Sequence, residues 1–204
     1  MNVKLIPQVI EFKAFQFALF NRKVIVTEDA IQFKSKTFLA NEINAVRYSR
    51  INRVAGNRIA SSDYKVELRS NAGSKIKISF SHVVSQGNPE KIEKAYFDII
   101  NALSPILNNI LQISLEKINS GESIQFENVV LTKLGIEVKP NLLNKGTSVS
   151  WDKLTLAYNN GELHFFDSVK KILSLYCNTT WNLKVLEDVC QGFIKKNTPE
   201  LVAQ

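Results

Sequence analysis

Cysteine, histidine and methionine are nearly missing from this chain of 204 residues, and arginine vanishes altogether after Arg69. The two cysteines, Cys177 and Cys190, are fewer than a disulfide-stapled secreted scaffold uses. Both read as small buried hydrophobes in a reducing compartment. The two histidines, His82 and His164, have no second histidine or cysteine at zinc-ligand spacing, so no metal site is expected. No serine sits in a nucleophile elbow. Glu187 and Asp188, adjacent on a helix, point about 100° apart and cannot work as an acid and base pair. Neither catalytic residues nor a cofactor are therefore expected, and the chain reads as a non-enzyme. No run of about 18 apolar residues occurs, which excludes a membrane-crossing helix. The opening MNVKLIPQVIEF shows no secretory signal. The expectation is a cytoplasmic protein, peripheral at the membrane at most.

Apolar residues make up 45% of the chain and charged ones 22%, which suits a packed core better than a disordered segment. The charge is uneven. Residues 1–104 carry ten lysines and six arginines against nine acids, whereas residues 105–204 carry ten lysines against ten acids. The whole net charge of +7 thus belongs to the first half. Net charge governs association with polyanions more than it governs fold, so the two halves are expected to serve different partners.

The halves nevertheless share an ancestor. KVIVTEDAIQFKS at 23–35 returns as NVVLTKLGIEVKP at 128–140, at a constant shift of 105 positions. Each copy reads as two short apolar strands around a tight turn, at Glu28-Asp29-Ala30 and at Lys133-Leu134-Gly135. Ahead of the first copy, Ile10 to Phe20 is strand-like with an early turn or bulge. After each copy comes a bend and another strand, at 37–49 and 147–159, matching Ile43 with Leu154 and Tyr48 with Tyr158. Asn159-Asn160-Gly161 then turns the second copy directly into Glu162 to Phe166. In the first copy that joint is stretched by RINRVAGNRIASSD at 50–63, which reads as a projecting loop. YKVELR at 64–69 and KIKISF at 75–80 alternate with period two, and KILSLY at 171–176 answers them.

A helix is expected to close each half. Asn88-Pro89-Glu90 caps one with apolar residues at helical spacing from Ile92 to Leu103, and Pro105 breaks it. A second apolar helix over 106–118 ends in Asn119-Ser120-Gly121. The last helix begins near Thr179-Thr180-Trp181 and stops about Lys196-Asn197. This gives a first domain at 1–104, a helical connector at 105–120 and a second domain at 121–204.

Six or seven short strands followed by one amphipathic helix, made twice, let the helix stopper a small curved sheet. With VIVTEDAIQF at 24–33 and VVLTKLGIEV at 129–138, then ANEINAV at 40–46 and SWDKLTL at 150–156, the chain resembles the bacterial pleckstrin-homology-like (PH-like) domains, in two tandem copies. The resemblance implies an α+β, mainly β protein of two PH-like β-barrel or sandwich domains. It implies a binding or scaffolding role, with a protein partner or self-association. It does not carry phosphoinositide binding, because Glu28-Asp29 occupies an early turn where a basic site belongs.

The candidate anion contact is a crowd of arginines. Arg47, Arg50, Arg53 and Arg58 place four guanidinium groups within twelve residues, and each planar fork suits phosphate or carboxylate. Lys65, Arg69, Lys75 and Lys77 extend the patch along strand faces, or serve as edge lysines that discourage pairing. A solvated loop is the competing reading, and an anionic membrane surface is a possible partner; nucleic acid is not expected. Trp151 and Trp181 are either core anchors or partner-binding hot spots.

Overall fold

Thr27 and Thr132 close the same turn. In the computed structural model, which describes residues 7–13, 21–83, 89–140, 145–159 and 161–197, each threonine hydroxyl accepts the backbone N–H three residues on. The distances are 2.9 Å from Ala30 and 3.2 Å from Gly135. Each threonine N–H in turn donates to the carbonyl of that same residue at 2.9 Å. The flanking strands pair at the shift the sequence shows: Val24 with Phe33 and Val26 with Ile31, then Val129 with Val138 and Leu131 with Ile136. All eight side chains are buried.

Around this turn each half builds the same order. The first has β1 (Gln8–Lys13), β2 (Asn21–Val26), β3 (Ala30–Phe33) and β4 (Lys36–Leu39) as one antiparallel meander. A 3-10 turn at Ala40–Glu42 leads into a second meander of β5 (Ile43–Ala55), β6 (Arg58–Ser70) and β7 (Lys75–Val83). Then come α1 (Pro89–Ala102) and α2 (Ser104–Asn119). The second half repeats it with β8 (Ile124–Phe126), β9 (Val129–Leu131), β10 (Gly135–Val138) and β11 (Thr147–Ser150), then β12 (Leu154–Asn159), β13 (Glu162–Asp167) and β14 (Lys170–Tyr176), and last α3 (Leu183–Asn197). The fold is α+β and mainly β. Among the described residues the four sheets stay separate, so the expected barrel is not closed.

The chain divides into two compact units, Met1–Leu107 and Asn108–Gln204. The division falls inside α2, where the sequence suggests a connector. Leu103 interrupts the helices just before Pro105, and Gly121, at φ 92°, ends α2 with its N–H on the Ile118 carbonyl. The expected Asn88 cap, Asn160, the segment at 14–20 and the chain beyond 197 lie outside the described residues.

Aromatic side chains hold α1 and α3 against sheets of their own units. In the first unit Tyr96 of α1 meets Tyr64 of β6 at 5.0 Å between ring centres, and Phe80 of β7 meets Phe12 of β1 at 4.8 Å. In the second unit Trp151 stacks on Phe193 of α3 at 4.9 Å. The aromatic rings supply large apolar area where a helix crosses two short sheets.

The stretch 50–63 is not a loop. It is the outer half of a hairpin in which β5 and β6 are thirteen residues each, joined at Gly56-Asn57. Gly56 sits at φ 62° in the first central position, where a primed turn needs it. Ile51, Val54 and Ile59 supply the β-branched side chains that keep the strands extended, although all three are exposed.

Gly135 sets the difference between the two threonine turns. A Cβ there would stand 2.1 Å from the Val149 carbonyl oxygen, whereas the first unit already carries Ala30 at the matching place. Gly135→Ala is expected to lower stability by about 1–3 kcal/mol, since the neighbouring strand must shift. Urea denaturation checks this; an unchanged midpoint would contradict the packing described.

Candidate functional site

Strand alternation distributes the arginines. Residues three apart on a strand fall on opposite faces, so Arg47 and Arg53 point to the outer face of the β5–β6–β7 sheet and Arg50 to the other. Arg50 pairs with Glu93 of α1 and lies 5.6 Å from the Tyr64 ring centre. Arg53 pairs with Asp63 across the hairpin at 2.8 Å, and Arg58 is exposed beside the hairpin turn. The expected convergence of four guanidinium groups on one loop is therefore corrected.

A different constellation forms in its place. Cross-strand register aligns Arg69 with Lys75, then Arg47 with Glu67 and Lys77, then Ser49 with Lys65 and Ser79. Further along come Ile51 with Asp63 and Ser81, then Arg53 with Ser61 and Val83. One face thus holds six cationic side chains against two carboxylates, with serines between them. Glu67 is the centre. Its side chain is only 9% exposed, and it accepts from Arg47 Nε at 2.9 Å and lies 2.7 Å from Lys65 Nζ. Burial pushes its pKa up, but hydrogen bonds from Lys65 and Arg47 and their charges outweigh that and hold it below the ordinary carboxylate range.

The face thus keeps a surplus of positive charge while its acid is locked. Lys75 and Lys77 are exposed on the edge strand. At the hairpin end the same face carries exposed Ile51 and Val83, while Val54 and Ile59, paired beyond a register shift, are exposed on the opposite face. Sequence reasoning named the cations but missed Glu67, whose signal was the period-two run Lys65, Glu67, Arg69.

Trp151 is not a partner contact. It is 2% exposed, and its indole Nε1 donates to the Lys133 carbonyl at 3.2 Å. Trp181 is half-buried, with its backbone N–H 3.5 Å from Glu127 Oε1. Glu127 borders an open cavity of about 560 Å³ in the second unit, shared with Lys139, Tyr176 and Thr180. Lys139 Nζ donates to Gln125 at 2.6 Å. Ser174, whose Oγ lies 2.8 Å from His164 Nδ1, lines the same cavity.

His82 is buried in β7 with Nε2 unpaired among the described residues, and His164 Nδ1 lies 2.8 Å from Ser174 Oγ. Among the described residues no three His, Cys, Asp or Glu side chains are grouped to hold a metal, and no helix is long and apolar enough to cross a membrane. Cys177 and Cys190 are free thiols. The chain matches no family model, no curated protein and no solved structure.

The lowered pKa of Glu67 makes a signed prediction. A depressed carboxylate stabilises the fold above its unfolded value, about 4.3, and that stability is lost as pH falls through the folded value. Glu67→Gln should cost about 1–3 kcal/mol at neutral pH. Its disadvantage should shrink below about pH 4. Denaturant titrations at a series of pH values test this, and parallel curves for the two proteins would refute it.

Proposed function

We propose that the chain is a non-enzymatic binding protein of two tandem PH-like modules, whose first unit docks an acidic protein partner on the outer face of β5–β6–β7. The observation that carries the reading is the in-register alignment of Arg47, Lys65, Arg69, Lys75 and Lys77 around a single buried carboxylate. The meander, second meander and helix found in each unit support the PH-like assignment. Edge lysines on β7 disfavour sheet-to-sheet addition, so the partner is taken to meet side chains rather than add a strand. Exposed Ile51 and Val83 on that face provide the apolar part that a protein interface needs beside its charges. An anionic membrane bound through residues 47–58 draws less support. Arg50 is turned to α1 and Arg53 is matched by Asp63.

Immobilised poly-glutamate serves as the probe for an acidic polypeptide. The full chain should bind it, weakening as salt rises, and Lys75→Glu with Lys77→Glu should cut affinity by roughly 10-fold or more. Lys133→Glu with Lys153→Glu, a matched change in the second unit, should leave it unaltered. Equal losses from both pairs would show attraction by net charge alone and remove the face from consideration.

A further inference from the structure

The two most exposed large apolar side chains among the described residues are Val169, at 93%, and Leu134, at 82%. Both stand at turn apices of the second unit, and hydrogen bonds bring those turns to one end. The Trp151 indole donates to the Lys133 carbonyl, tying the β9–β10 turn to the start of the β11–β12 corner. Ser168 N–H donates to the Lys153 carbonyl at 2.9 Å, tying the β13–β14 turn to the other side of that corner.

Lysines surround the apices. Lys133 precedes Leu134, Lys153 lies on the corner between them, and Lys170 and Lys171 follow Val169; Asp152 and Asp167 are the acids of the same turns. Leu134 is held outward by a built turn, its N–H on the Thr132 hydroxyl at 3.2 Å. The matching apex of the first unit, closed by the same threonine bond, carries Glu28-Asp29 in place of Lys133-Leu134. The duplicated turn has thus exchanged two acids for a cation and a leucine, although the second half of the chain is neutral overall.

We propose that this end of the second unit seats on an anionic lipid bilayer, with Leu134 and Val169 entering the acyl boundary and Lys133, Lys153, Lys170 and Lys171 meeting the headgroup phosphates. Two separate apolar apices cover far less than the roughly 800 Å² per partner of a specific protein interface. A fluid bilayer needs no matching pocket. It accepts single side chains at the depth of the headgroups, and nearby lysines extend their stems to the anionic surface. The site, its residues and its partner differ from those of the first unit's sheet face.

Co-sedimentation of the full chain with vesicles of phosphatidylcholine containing about 30% phosphatidylserine, against phosphatidylcholine alone, tests it. Binding should require the anionic lipid and weaken with salt. Lys133→Glu with Leu134→Asp, which copies the first unit's apex, should lower it roughly 10-fold or more. Val169→Ser, at an apex that is 93% exposed, should lower it in the same direction with the melting temperature unchanged. Wild-type chain that ignores the anionic vesicles overturns the proposal. So does binding that survives both apex changes, or is removed only by Lys75→Glu with Lys77→Glu. Self-association lost in the apex variants would overturn it too, by assigning the apices to a second copy. The poly-glutamate result is independent of all these outcomes.

Discussion

A single hydroxyl-to-amide hydrogen bond, made by Thr27 in one unit and by Thr132 in the other, fixes the turn on which each meander depends. A bond of this kind contributes about 1 kcal/mol in net terms. Its larger effect is positional, because it sets the register of β2 with β3 and of β9 with β10, and a slip of one residue would turn the buried Val24, Val26, Ile31 and Phe33 outward. Because the threonine supplies the closure, the two apex residues are released from structural duty. Glu28-Asp29 and Lys133-Leu134 are two uses of that freedom.

The units then part company in how they spend side chains that the core does not need. In the first, β5 and β6 run thirteen residues each, and alternation lines one face with cations in successive rows around Glu67. In the second, β12 and β13 are six residues each, and the polar work passes to the turns. Arginine, whose fork suits fixed carboxylate partners, is confined to the first unit; lysine, a flexible point charge, serves the second. The protein partner proposed for the one and the bilayer proposed for the other follow the same division.

Much of the architecture was legible in the chain itself. The shift of 105 positions marked the duplicated strands, the residues around Asn159 and Gly161 marked a hairpin, and Pro105 marked a helix break, because each rests on local backbone chemistry. The site was less legible. Arginines at spacing three look like a cluster, but a strand separates them, and the segment that contains them reads as a loop because Ala55-Gly56-Asn57 and its serines suggest one. Only the cross-strand ladder from Ile51 with Asp63 to Ala55 with Arg58 shows the strands continuing. Glu67 and Lys77 lie ten residues apart in sequence yet face one another, which cross-strand register alone reveals. Trp151 could be placed near a bend, but its burial depends on Phe193, forty-two positions away. Leu134 was visible as a turn residue. What was not visible is that Trp151 and Lys153 bring Val169 to the same end.

Amide hydrogen exchange at Ala30 tests most directly whether the threonine, and not the apex, holds the turn. With Glu28→Lys and Asp29→Leu, which place the second unit's apex on the first, the Ala30 amide should stay as protected as in the wild type, while Thr27→Val should expose it. Protection lost on changing the apex, or kept without the Thr27 hydroxyl, would contradict the account.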